Sequence, residues 1–254
     1  MKKRMTALLL LLALCLALPA LGEEAAKGNA DAMQETPKKY VYLTFDDGPK
    51  ADTPELLALL EELDVPATFF FVGAKVHHFP EMARLVYEKG YTIGCHSYYH
   101  AYNRLRDREY LQKDYDKFIG IMREIVDPAF DTKLYRFPGG STSYPAKTRR
   151  FVADELGLAW FDWNAMTNDT AANKTSEDLY RYAVRGAADE EVVILLAHEG
   201  IYRTREMLPD LVQYFRDRGF EFRSLSLEQE DRDILARSTA KMMLPGEGDA
   251  AEEQ

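Results

Sequence analysis

The sequence predicts an α/β fold: a distorted or incomplete (β/α) barrel of about seven parallel strands. Three observations carry this expectation. Short apolar runs alternate strictly with amphipathic segments, and strict alternation places helices outside a parallel sheet. About seven such units occur, close to the eight of a full barrel. Titratable residues gather just after the apolar runs, where parallel α/β folds carry their active sites. An open doubly wound sheet has the same spacing and stays as the alternative. No G-x-G-x-x-G follows the first strand, which weakens a dinucleotide-binding reading.

The elements follow in order. Lys2, Lys3 and Arg4 precede an unbroken apolar run, Ala7 to Leu18, and Ala20-Leu21-Gly22 offers small residues for cleavage. That run is shorter than the roughly 20 residues that span a bilayer. Residues 1–22 therefore read as a secretory signal peptide, with an uncleaved anchor as the rival. Leu14 before Cys15 argues against lipoprotein processing. Residues 23–38 are polar, Ala/Glu-rich and aperiodic, which predicts a disordered linker. One domain is expected over 39–231, and a C-terminal tail over 232–254.

Within the domain, Val41–Phe45 is the first expected strand, followed by a helix with Thr53 as N-cap and Pro54 at its first position. Ala67–Val72 is the second strand. Pro80 opens the next helix and Gly90 closes it. Tyr91–Cys95 is the third strand, and a long helix runs from near Asp107 to before Pro128. Leu134–Phe137 is the fourth strand, and its helix ends at Gly157. Leu158–Trp163 is the fifth, followed by a helix capped by Ser176. Val192–Ala197 is the sixth, its helix stops at Gly219, and Phe220–Arg223 is the seventh.

The net charge is −10, and loss of residues 1–22 removes three cations and no anions, leaving −13. Such an acidic chain is a poor partner for nucleic acid or an anionic membrane surface. Cys15 leaves with the signal, so Cys95 is expected without an intramolecular partner, as a small buried residue.

The first strand ends in adjacent carboxylates, Asp46 and Asp47, before Gly48-Pro49. Like charges side by side disfavour each other's ionised form. After the third strand comes His96-Ser97-Tyr98-Tyr99-His100; after the fourth, Arg136-Phe137-Pro138-Gly139-Gly140; after the fifth, Trp163-Asn164 and Asp169; the sixth runs into His198-Glu199. His96 and His100 are four apart, which on a helical turn puts both on one face. Imidazole plus carboxylate suits Zn²⁺, and Asp47 would complete a three-ligand set with an open position. A dication would relieve the repulsion between the aspartates. Successive strand side chains diverge, so one carboxylate could bind metal while its neighbour accepts a proton. The plainer readings are a surface histidine pair and a turn capped by Asp46-Asp47. His77 and His78 read as solvated loop residues.

T-F-D-D-G, H-S-Y-Y-H, R-F-P-G-G, a later Asp and L-L-A-H resemble, in order, the five motifs of the polysaccharide deacetylase family, the NodB homology group or carbohydrate esterase family four. The resemblance implies that Asp46 is the catalytic base and that Asp47, His96 and His100 bind one divalent metal, Zn²⁺ first and Co²⁺ second. It implies that Arg136 orients the base, that His198 is the general acid and that Asp169 pairs with it. Leu196 would line the acetyl-methyl pocket. Gly139, Tyr99 and Trp163 would meet substrate. In this sequence Thr170 rather than Trp follows Asp169, which leaves Asp162 as a rival partner for His198. Gly139 stands where the family often has an aromatic, which should open the cleft. Glu199 stands where Asp is frequent.

The implied activity is metal-dependent removal of N-acetyl groups from a polysaccharide, with peptidoglycan the first candidate and a chitin-like glycan the second. The alternatives are a glycan O-acetyl esterase of xylan type and a lapsed, glycan-binding domain. The protein is expected to be a secreted or cell-envelope monomer without a membrane span once its signal is removed.

Overall fold

Nine strands form one curled, half-barrel sheet in the computed structural model, which describes residues 38–246. In chain order the elements are β1 (Lys39–Gly48), α1 (Thr53–Glu62), β2 (Thr68–Phe71), α2 (Gly73–His78), α3 (Pro80–Glu88), β3 (Thr92–Cys95) and α4 (Arg108–Ile125). Then come β4 (Leu134–Tyr135), α5 (Ala146–Arg150), β5 (Ala159–Phe161), β6 (Ala165–Met166), α6 (Ser176–Ala187) and β7 (Val192–His198). The last are α7 (Tyr202–Asp217), β8 (Phe220–Arg223), α8 (Gln229–Leu235) and β9 (Met242–Met243). The sheet order is β6-β7-β1-β2-β3-β4-β5-β9, and β8 pairs with β1 off this path. Every pairing is parallel except β5 with β9. The fold class expected from the sequence is therefore present, with two further short strands, β6 and β9.

The hub is β1. Along one edge Tyr40–Asp46 pairs with β7. The other edge is shared: Lys39–Tyr42 pairs with β8, and Thr44–Gly48 pairs with β2. Alternate side chains of a strand face opposite sides of its sheet. Val41, Leu43 and Phe45 enter the core under the helices, whereas Tyr40 and Tyr42 enter the second core with Phe70, Phe161 and Ile194. The same period puts Thr44 and Asp46 on the side of Tyr40 and Tyr42. A strand buried on both faces reads as a continuous apolar run, so these two polar residues mark where that inner layer turns into a site.

Several boundaries differ from expectation for local reasons. α1 is flanked by Asp52, and the Thr53 hydroxyl is engaged elsewhere. α6 is capped by Thr175 rather than Ser176, in a reciprocal capping box with Asp178. α4 does start where expected, capped by Asp107, which accepts from the Tyr110 N–H at 2.8 Å. His77 and His78 end the short helix α2 instead of lying in a loop.

The expected tail over 232–254 is corrected for its described part. Ile234, Leu235, Ala240 and Leu244 are buried in the second core, and Met243 in the core under the helices. The Tyr42 hydroxyl donates to Asp231 at 3.2 Å, and Arg223 pairs with the same carboxylate at 3.1 Å. The domain thus extends past 231. The polar face of α8 and the two-residue length of β9 hide this contribution from periodicity. The predicted signal peptide, the linker up to residue 37 and residues 247–254 lie outside the described residues. No described helix is long and apolar enough to cross a membrane.

Candidate active site

The carboxyl ends of β1, β3, β4, β7 and the segment after β6 converge on a cleft of about 370 Å³. It is lined by Asp46, Asp47, His96, His100, Tyr102, Gly139, Trp163, Met166, Asn168, Asp169, Thr170, Leu196 and His198. A larger cavity of about 780 Å³ lies beside the C-terminal segment, among Trp160, Arg149, Arg232 and Lys241. It holds no histidine and no paired carboxylates, so chemistry rather than size identifies the smaller cleft.

The adjacent aspartates do not diverge as strand neighbours would. The β1–β2 register shifts between Asp46 and Gly48, and Asp47 takes a left-handed φ of 69°. This bulge turns both carboxylates to the same cleft. Asp46 Oδ2 lies 3.6 Å from His96 Nε2, and Asp47 Oδ1 lies 3.9 Å from the same atom. Asp46 is 2% exposed, whereas Asp47 stands at the mouth. Lys75 donates to the Asp47 carbonyl at 2.8 Å and lies 3.8 Å from its carboxylate. Burial pushes the Asp47 carboxyl up, but His96, Lys75 and His100 together hold it below the ordinary aspartate value.

Gly48 completes the turn because nothing larger fits. A Cβ there would lie 1.6 Å from Glu199 Oε1. Glu199 is buried, and the Thr53 hydroxyl donates to its Oε2 at 2.5 Å while accepting from the Lys50 N–H. Burial pushes the Glu199 carboxyl up to about 8. Glu199 thus pins the turn that presents Asp46 and Asp47.

The His96–His100 segment is not a helical turn, which corrects the sequence reading. Ser97 and His100 have left-handed φ values of 64° and 54°, and the Ser97 hydroxyl accepts from the His100 N–H at 2.8 Å. The two Nε2 atoms still meet, 3.2 Å apart. Asp114 of α4 holds the loop by accepting from the N–H groups of Tyr98 and Tyr99, at 2.5 and 3.3 Å. Tyr98 is buried against Gly73, and Tyr99 turns outward, 50% exposed, where Lys117 donates to its hydroxyl. Tyr99 therefore lines no part of the cleft, contrary to expectation. Tyr102 does so instead. Left-handed backbone outside glycine is costly and concentrates at functional sites; among the described residues six adopt it, and four of them, Asp47, Ser97, His100 and Asn168, lie in or beside this cleft.

Asp47, His96 and His100 each offer one ligand atom, all within 4.8 Å of one another. Asp47 Oδ1 is buried with no hydrogen-bond partner among the described residues. His96 Nδ1 donates to the Arg136 carbonyl at 2.8 Å, so its Nε2 lone pair faces the cluster. Burial pushes both imidazoles down, His100 to about 4. Tetrahedral zinc with ligand bonds of about 2.0–2.1 Å needs ligand atoms about 3.3–3.4 Å apart. The observed separations are 3.2, 3.4 and 3.9 Å. These residues fit a divalent cation, with room for a further ligand on the cleft side.

Arg136 is fully buried, not the surface ion pair that its residue type would suggest. Its Nη1 donates to Asp46 Oδ1 at 2.9 Å and to the Thr44 hydroxyl at 2.5 Å. Its Nε and Nη2 donate to the carbonyls of Phe161 and Asp162, and its guanidinium lies 4.2 Å from the Phe70 ring centre.

Asp169, not Asp162, faces His198. Asp169 Oδ1 lies 2.7 Å from His198 Nδ1, and Oδ2 accepts from the His198 N–H at 2.8 Å and the Thr204 hydroxyl at 2.7 Å. Asp162 instead accepts from the N–H and hydroxyl of Ser141 and shapes the loop after β4. Burial opposes the charged imidazole, yet the Asp169 bond and the negative field of Asp46 and Asp47 raise His198 above its ordinary value. Leu196 and Trp163 also line the cleft. Thr44, Lys75, Tyr102 and Thr204 were not singled out from sequence, since isolated residues of these types carry no spacing signal.

The polysaccharide deacetylase family model matches residues 33–160, half of the chain. A peptidoglycan-N-acetylglucosamine deacetylase of Bacillus cereus is 30% identical over 191 residues, 73% of this chain and 68% of that protein. A bifunctional xylanase/deacetylase of Pseudobutyrivibrio xylanivorans is 24% identical over 210 residues, and the chain spans only 33% of its length. Among solved structures, a polysaccharide deacetylase from Bacillus cereus superposes with a TM-score of 0.69 at 28% identity, covering 76% of this chain and 94% of that one.

Two measurements check the geometry directly. His100→Ala should lose most of the divalent-metal affinity seen in the wild type by titration calorimetry, because two ligands rarely hold zinc against water. Equal affinity in the variant would remove these residues from a metal site. In Asp169→Asn the imidazole of His198 should titrate at lower pH than in the wild type, read by NMR. The carboxylate favours the charged form, so its loss must shift the titration downward. An unmoved titration would show that Asp169 is no partner.

Proposed function

The chain belongs to the polysaccharide deacetylase family, and we propose that it is a metal-dependent N-deacetylase acting on the amino sugars of peptidoglycan. The observation that supports this most is the joint presence, in one cleft, of a buried carboxylate, a three-donor metal cluster and a histidine–aspartate pair. Each half of an acyl transfer to water has its own group there.

When bound, a divalent cation supplies Lewis acidity, polarising the acyl carbonyl and acidifying water. Asp47, His96 and His100 are the residues proposed to hold it. Asp46 accepts the proton of the attacking water through Oδ2, while Oδ1 stays bonded to Arg136. Arg136 keeps that carboxylate oriented. His198, charged through Asp169, donates a proton to the departing nitrogen. The N–H of Gly139 is the proposed donor to the developing oxyanion, and Leu196 bounds the acetyl methyl. The products are acetate and a free amino sugar.

The peptidoglycan assignment rests on the likeness to the Bacillus cereus enzyme. The apolar segment and basic start of residues 1–22 support export to the envelope, where that polymer lies. A glycan O-acetyl esterase is the second reading, favoured by the likeness to the xylanase/deacetylase. Ester and amide pass through the same type of oxyanion, so substrate comparison separates them. Purified protein should release acetate from N-acetylated muropeptides, with loss of an acetyl mass, and chelation should abolish release. Release only from O-acetyl substrates would overturn the N-deacetylase reading.

The two carboxylates should separate by variant. Asp46→Asn is nearly isosteric and cannot take a proton at neutral pH. It should keep the metal and lose turnover by about a hundred- to ten-thousand-fold. Asp47→Asn should lose metal affinity, and excess Zn²⁺ should partly restore its rate. Zinc rescue of Asp46→Asn, with Asp47→Asn metal-loaded but inert, would exchange the two roles.

A further inference from the structure

We propose that Tyr102 is the aromatic wall on which the pyranose ring carrying the acetyl group stacks, standing in the space that Gly139 leaves free. This inference rests on the functional reading above and names a residue that determines specificity.

Gly139 does not open the cleft as its sequence suggested. It has a left-handed φ of 73°, and a Cβ built on it would lie 2.5 Å from Tyr102 Cε1. A ring from another loop therefore occupies the place of a side chain at 139. That ring is fixed on two sides. It meets the His100 imidazole edge-to-face, with centroids 4.9 Å apart and planes at 87°. It also closes against the Gly139 backbone. Yet Tyr102 remains 47% exposed and lines the same cleft as Asp46, Asp47 and His198.

A half-exposed aromatic ring held at a catalytic cleft has an apolar face to cover. Sugar rings present such a face, a patch of C–H groups between their polar edges. Stacking there costs little conformational entropy, because the ring is already positioned by His100 and Gly139. Leu196, Met166 and Trp163 line other parts of the cleft. Pockets of this kind bind by apolar walls and orient by a few polar groups. Tyr102 meets no reacting atom in this scheme, so its contribution should be the same in the bound substrate and the transition state. Uniform binding of that kind appears in KM and not in kcat.

The test uses steady-state acetate release from a soluble N-acetylglucosamine tetramer and from muropeptides, with metal content measured on each preparation. Tyr102→Ala should raise KM by about tenfold, the effect of roughly one aromatic contact, with kcat within about threefold of wild type. Tyr102→Phe keeps the ring and should stay near wild type in both. The metal content of all three should be equal. A Tyr102→Ala variant that binds less metal would show that the ring acts only through His100 and would overturn the inference. So would an active wild type whose KM is unchanged in Tyr102→Ala, or a Tyr102→Phe variant as impaired as the alanine. A wild type that releases no acetate would overturn the functional reading and this inference together.

Discussion

The site is organised by a buried charge. Arg136 lies at the carboxyl end of β4 with its guanidinium fully out of solvent. Taking such an ion from water costs several kcal/mol even after relaxation, and only a close counter-charge with further hydrogen bonds offsets it. Asp46 supplies the charge, Thr44 the hydroxyl, and Phe161 and Asp162 the carbonyls. One side chain thereby ties β1 to β5. It also fixes which oxygen of Asp46 remains for the cleft. The carbonyl of Arg136 orients His96, so the same residue reaches both the proposed base and the proposed metal ligands.

Around that anchor, backbone strain does the finer placing. A regular strand would send Asp46 and Asp47 to opposite faces. The bulge at Asp47 cancels the divergence, and Glu199 behind Gly48 leaves the turn no other course. The left-handed residues Ser97 and His100 do the same for the imidazoles, with Asp114 holding the loop from α4. Unfavourable conformations persist only where the surroundings over-determine them. Asp47 is held by Lys75 on its carbonyl, and Ser97 and His100 by the Ser97 hydroxyl that accepts from the His100 N–H.

Much of this was legible in the sequence, because strand-and-helix alternation and polar residues at strand ends are local signals. Asp46, Asp47, His96, His100 and His198 were all identifiable that way and meet in one cleft, with Arg136 buried behind Asp46. Three kinds of information were not local. The face reached by Asp47 and His100 depends on single φ angles, so helical and strand periodicities gave the wrong geometry for residues whose polar atoms nevertheless meet. Tyr99 and Tyr102 are alike in sequence, and only the Asp114 contacts turn the first outward. The choice between Asp162 and Asp169 depends on which loop meets β7. The C-terminal segment past Asp231 contributes Leu235 to the second core and Met243 to the core under the helices, through elements too short for a periodic signal.

The central claim is that Arg136 and Asp46 are present as a mutually dependent buried pair. A double-mutant cycle on urea unfolding tests it most directly, with Arg136→Met, Asp46→Asn and the double variant. Removing Arg136 alone strands a buried carboxylate and should cost about 3–5 kcal/mol. Adding Asp46→Asn removes that stranded charge, so the double variant should be more stable than additivity allows, by about 2 kcal/mol or more. Single-variant losses that add to within about 0.5 kcal/mol would show that the two charges do not depend on each other, and the account of the site built on them would be wrong.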